Sequence, residues 1–110
     1  MKKMQKIIIT AATVLFLSTP VYAQDNYGYC GDISGLAGIV MTKRQAGVSM
    51  KSMIEIVMNK KYGEGTDMMK SMVIDAYKRP RMHVRANADR IISEFENKWY
   101  MWCLKAMGEK

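Results

Sequence analysis

From Cys30 to Ala106 the apolar residues return at steps of three and four, and no stretch alternates strictly between apolar and polar. That period belongs to amphipathic helices rather than to half-buried strands. It predicts four of them. The first runs from about Gly31 to Ala46, with Cys30, Ile33, Leu36, Ala37, Val40 and Met41 on one face. Lys43 and Arg44 suit the negative carboxyl pole of that helix, and Gly47 is a natural stop. Gly31, Gly35 and Gly38 weaken it by up to about 1 kcal/mol each relative to alanine, so an irregular start is expected. Ser49 can cap a second helix from Met50 to about Asn59, whose apolar face is Met50, Met53, Ile54 and Val57. The run from Lys60 to Gly65 reads as a loop. Thr66 is placed to cap a third helix, Asp67 to Lys78, with Met69, Met72, Val73, Ala76 and Tyr77 inward. Pro80 ends it, because proline cannot continue the ladder and drives Arg79 out of helical geometry. The fourth and longest helix carries Val84, Ala88, Ile91, Phe95, Trp99, Trp102 and Ala106 as its inward line, with Cys103 at the border.

Ahead of these helices the pattern changes. Lys2, Lys3 and Lys6 precede an apolar run from Ile7 to Leu17, then Pro20 and the small residues of Val21-Tyr22-Ala23. Basic, apolar, then small is the order of a secretory signal, and a cut after Ala23 is expected. The apolar run is shorter than the roughly 20 residues a spanning helix needs. The chain therefore divides into a signal peptide at 1–23, a flexible lead-in at 24–29 and a single helical domain at 30–110. No later stretch is apolar for long enough to span a bilayer, so the exported product is expected to have no membrane span, in the periplasm or outside the cell.

Export changes what the cysteines and charges mean. An oxidising compartment makes pairing the default for the chain's two cysteines, so a Cys30–Cys103 disulfide is expected. The bond would bring the opening of the first helix to the close of the last. Loss of Lys2, Lys3 and Lys6 lowers the formal net charge from +7 to +4. Lys78, Arg79, Arg81, Arg85 and Arg90 concentrate positive charge in one stretch. That stretch is either a solvated turn or a patch for an anion. Nucleic acid fits poorly, because no aromatic residues interleave with these charges.

No catalytic set emerges from the residues. His83 is the chain's one histidine and stands near a turn among arginines. Glu94 and Glu96 are two apart and leave a helix on different sides, which makes them solvated acids rather than a paired-carboxylate site. Gly63-Glu64-Gly65-Thr66 resembles part of a phosphate loop but lacks its lysine and a leading strand. Twelve methionines are unusual for a chain of 110 residues. Thioethers can bind Cu(I), so a copper carrier is one alternative, but core filling accounts for the same positions. The reading is a non-enzyme with no cofactor and no metal ligands.

The carboxyl end is the most suggestive stretch. Trp99-Tyr100-Met101-Trp102-Cys103-Leu104 is apolar all round, and at about 100° per residue Tyr100, Leu104 and Met107 form a second stripe behind the inward one. Either the first helix and the lead-in tyrosines cover that stripe, or it receives a partner protein or a second copy.

Three segments carry a resemblance. They are Cys30 followed by Thr42-Lys43-Arg44-Gln45-x-Gly47-Val48-Ser49, then Val73-Ile74-x-Ala76-Tyr77-x-x-Pro80-Arg81, then Phe95 with Tyr100-x-x-Cys103-Leu104-Lys105. The pattern resembles a group of small secreted proteins encoded by bacteriophages and proteobacteria. That resemblance implies a helical exported domain with this cysteine pair and no established activity. The architecture is also similar to that of acid-activated periplasmic chaperones, which are short, helical and held by one disulfide. The expectation is an all-α bundle of about four helices closed by one disulfide. It would act as an exported interaction or inhibitor module on an envelope or lytic enzyme, or on the machinery by which a competing phage enters the cell. A periplasmic stress chaperone is the alternative.

Overall fold

A computed structural model describes residues 25–60 and 63–109. The expected signal peptide lies outside the described residues. Four α-helices follow one another: α1 (Asp25–Gln45), α2 (Met50–Lys60), α3 (Thr66–Tyr77) and α4 (Arg85–Ala106), with a 3-10 turn (Gly63–Gly65) leading into α3. No strand occurs among the described residues.

α1 and α4 form an antiparallel pair whose register can be followed along its length. Cys30 bonds to Cys103 with their Cα atoms 5.5 Å apart. The Ser34 hydroxyl donates to the Glu96 carbonyl at 3.2 Å. Further along, Thr42, Gln45 and Ala46 share a hollow with Arg85, Ala88 and Ile92. Gly38 lets the Glu96 side chain lie against the α1 backbone, because a Cβ there would meet Glu96 Cγ at 3.0 Å and the carboxylate closer still. α2 and α3 pack on the other flank of α1. The shared core contains Ile33, Ala37, Val40 and Met41 from α1, Met53 and Val57 from α2, Met69, Met72, Val73 and Ala76 from α3, and Phe95, Trp99 and the disulfide at α4. Met41, Met53, Met69 and Met72 are thus core-filling side chains.

Of the caps and stops expected from the sequence, one is not made. The Ser49 Oγ accepts the Ser52 backbone N–H at 3.1 Å and caps α2. Gly47 has φ +89°, and the Val48 N–H reaches the Lys43 carbonyl at 3.0 Å while the Gly47 N–H reaches Arg44 at 3.1 Å. This is the Schellman closure that only a residue tolerant of positive φ completes without strain. Gly108, φ +84°, ends α4 in the same way. The exception is Thr66. It is the first residue of α3, with Gly65 before it and no side-chain cap.

Two expectations change. The lead-in is helical from Asp25 onward, so α1 starts well before Gly31. Contacts with the end of α4 hold that extra length. The Tyr27 hydroxyl donates to Glu109 Oε1 at 2.8 Å, and Asn26 Nδ2 donates to Glu109 Oε2 at 3.4 Å. Tertiary contacts of this kind offset glycine's low helix propensity. Second, α4 is rotated relative to the expected inward line. The disulfide puts Cys103 on the buried face with Phe95 and Trp99, and Trp102, about 100° from Cys103, is turned to the margin. Trp102 is 48% exposed and packs edge-on against Trp99, ring centroids 5.1 Å apart. Val84 and Ala106, at the ends of the expected line, are exposed too.

Candidate functional site

The junction of the α1 start and the α4 end is the place where a covalent bond, aromatic side chains and exposed apolar surface meet. α1 supplies Tyr27 and Tyr29, both exposed, and α4 supplies Met101, Trp102 and Met107, also exposed. Tyr100 and Leu104 are half-buried and pack against the core. So of the stripe Tyr100, Leu104 and Met107, the first two are largely covered and Met107 is open. Two shallow hollows flank the junction. Tyr27, Met101, Leu104, Lys105 and Glu109 line one; Asn26, Gly28, Tyr29, Asp32 and Met107 line the other. The hydrogen bond to Glu109, with the carboxylate's negative charge, holds the Tyr27 phenol above the ordinary value for tyrosine.

Sequence spacing gives no sign of Met101 or Trp102 as surface residues, because the rotation of α4 is set by the disulfide. The lead-in tyrosines, expected as one possible cover for the stripe, do reach it: Tyr27 lines a hollow with Leu104, and Tyr29 lines one with Met107.

The basic stretch does not gather into one free patch. Arg79 lies 4.0 Å from Asp75, and its guanidinium sits 5.9 Å from the Phe95 ring centroid. Arg81 donates to the Gln45 carbonyl at 3.0 Å and covers Gly47. Arg85 pairs with Asp89 at 3.5 Å and Arg90 with Glu94 at 3.2 Å, each one helical turn on. Lys78 is exposed and has no ion-pair partner among the described residues. Most of this charge therefore braces the 78–90 segment.

That bracing has a definite plan. The Arg44 guanidinium donates to the Arg79 carbonyl through Nε at 3.2 Å and Nη2 at 3.0 Å, and lies 4.9 Å from the Tyr77 ring centroid. Gln45 donates to the Pro80 carbonyl at 2.9 Å and accepts the Met82 N–H at 2.7 Å. His83 is exposed, and Gly63–Gly65 forms a single 3-10 turn. Among the described residues no three His, Cys, Asp or Glu side chains cluster in a way that could hold a metal ion.

Compared with known protein families, curated proteins and solved structures, the chain matches none.

Proposed function

We propose that this chain is an exported, non-enzymatic interaction module that binds another envelope protein through the disulfide-pinned end of the α1–α4 pair. The single observation that carries the reading is Trp102, 48% exposed beside Met101 at 57%, on a turn whose neighbour Cys103 is covalently fixed. An exposed tryptophan on a rigid platform suits a binding hot spot, because aromatic anchors supply large apolar area at small entropic cost. The disulfide supports the exported setting, and no helix among the described residues is long and apolar enough to cross a membrane. The resemblance to secreted phage and proteobacterial proteins favours a lytic enzyme, or the machinery by which a competing phage enters the cell, as the target class.

Capture from an envelope extract tests the reading, with the wild-type chain and a Met101→Ser/Trp102→Ser variant as baits. Both positions are exposed, so the variant is expected to keep its helical circular dichroism. A partner retained by wild type and lost by the variant supports the surface. Recovery of the same proteins by both baits removes it. The stress-chaperone alternative predicts instead that the chain suppresses aggregation of unrelated unfolded clients.

A further inference from the structure

A different face of the molecule is close to self-complementary when turned end for end. Asp32, Gly35, Ile39 and Lys43 follow one another along α1 at steps of three, four and four, which places them on one line of the helix. All four lie on the side of α1 away from the core: Asp32, Gly35 and Lys43 are exposed, and Ile39 is 57% exposed. Ile39 stands where two grooves meet. One runs toward α4, past Gly35 and Ile92; the other runs toward α2, past Leu36 and Ile56. Gly35 is a notch, since a Cβ there would meet nothing within 4 Å, whereas Gly38 beside it is already filled by Glu96. Neither Asp32 nor Lys43 has an ion-pair partner among the described residues.

We propose that a second copy of this chain docks on this line, α1 against α1 and antiparallel, about a two-fold axis near residue 37. The pair 35/39 is centred on residue 37, and the pair 32/43 half a residue further on. Reversing the helix about it sets the Ile39 knob over the partner's Gly35 notch, twice. It also sets Asp32 opposite the partner's Lys43, twice, with an axial mismatch of about 1.5 Å that long side chains absorb. A two-fold interface must be self-complementary, each residue meeting the counterpart of its own contact. A negative charge, a notch, a knob and a positive charge in that order meet the requirement. An unrelated partner would demand no such palindrome. The same chemistry could serve a foreign helix, and the variants below separate the two. The proposal does not rest on the Trp102 surface; Asp32 also lines the hollow beside Met107, whereas Gly35, Ile39 and Lys43 lie outside it.

Sedimentation equilibrium on the oxidised chain, over a range of concentrations and at low and high salt, tests it. Wild type is expected to dimerise weakly, with salt opposing it, because the patch is small and its charges lie at the rim. Asp32→Lys and Lys43→Asp each replace two attractions with two repulsions, and each is expected to weaken dimerisation by about tenfold or more. The double swap restores opposite charges and should recover wild-type association. Gly35→Leu fills the notch and should abolish the dimer while leaving the melting temperature of the monomer unchanged or raised. A wild-type chain that stays monomeric up to about 1 mM overturns the proposal. So does a dimer indifferent to Gly35→Leu, or a double swap no better than either single.

Discussion

Asp75, only 18% exposed, accepts on Oδ2 from Lys98 Nζ at 2.7 Å and from the Trp99 indole N–H at 3.0 Å, and so ties α3 to α4. These two partners stand more than twenty positions away, and local spacing offers it only Arg79, one helical turn on. Tyr77 is a similar case with a measurable consequence. Its hydroxyl donates to the Val48 carbonyl and holds the α1–α2 turn against α3. Burial raises the phenol above the ordinary tyrosine value near 10, and the Arg44 guanidinium opposes that shift in part. The folded chain therefore favours the neutral phenol. Tyr77's contribution is complete below the unfolded value. It is lost as pH climbs through that value toward the higher folded one, because the unfolded state ionises first. Urea unfolding between about pH 8 and 11 should show wild-type stability falling at the alkaline end. Tyr77→Phe should begin on the order of 1 kcal/mol less stable at neutral pH and fall less steeply, keeping only the share of Tyr27. Equal slopes for the two proteins would rule out Tyr77 as a source of the loss.

Between elements, the glycines of α1 divide into kinds that the sequence does not distinguish. Gly47 ends the helix at φ +89°, and a Cβ there would lie 3.0 Å from the Arg81 guanidinium carbon. Gly31 sits inside the helix with open space where a Cβ would go. Gly47→Ala should cost about 1–2 kcal/mol for the left-handed backbone, with displacement of Arg81 added. Gly31→Ala should instead stabilise the fold by about 0.5–1 kcal/mol, since alanine is the better helix former. Thermal melts of the two variants should therefore move in opposite directions, and a shared direction would contradict the helix geometry at one of them. The existence of all four helices, the Ser49 cap and the stops at Gly47 and Pro80 were legible, because each rests on local period or turn chemistry. The start of α1 at Asp25 and the rotation of α4 were not. Both depend on which residues of the opposite helix end they meet, and periodicity along one helix holds no record of that. The same rotation leaves Met101 and Trp102 exposed beside Met107, while Tyr100 and Leu104 are half-buried.

Across the whole molecule, the Cys30–Cys103 bond closes a loop of 73 positions and fixes the register of the longest helix pair. In the chain-entropy treatment, closing so long a loop stabilises the fold by about 4 kcal/mol, against a total of about 5–15 kcal/mol for small proteins. The bond also has a local effect that a cross-link elsewhere would not share. The first turn of α1 meets α4 only near Cys103 and Glu109, and three glycines follow it within three turns, so its helical state relies on being held there. The core around Met72, Val73 and Phe95 lies away from that end and draws on all of the packed helices. A Cys30→Ser/Cys103→Ser variant should lose about 4 kcal/mol in urea unfolding. Its amide exchange should quicken first over residues 26–33 and 101–109, while those of α3 keep the protection of global unfolding. Uniform acceleration throughout the chain would mean that the bond acts on the unfolded state alone. Selective loss at the pinned end would make the disulfide the element that shapes the Trp102 surface, and a reduced chain should then fail to retain any partner that the oxidised chain captures.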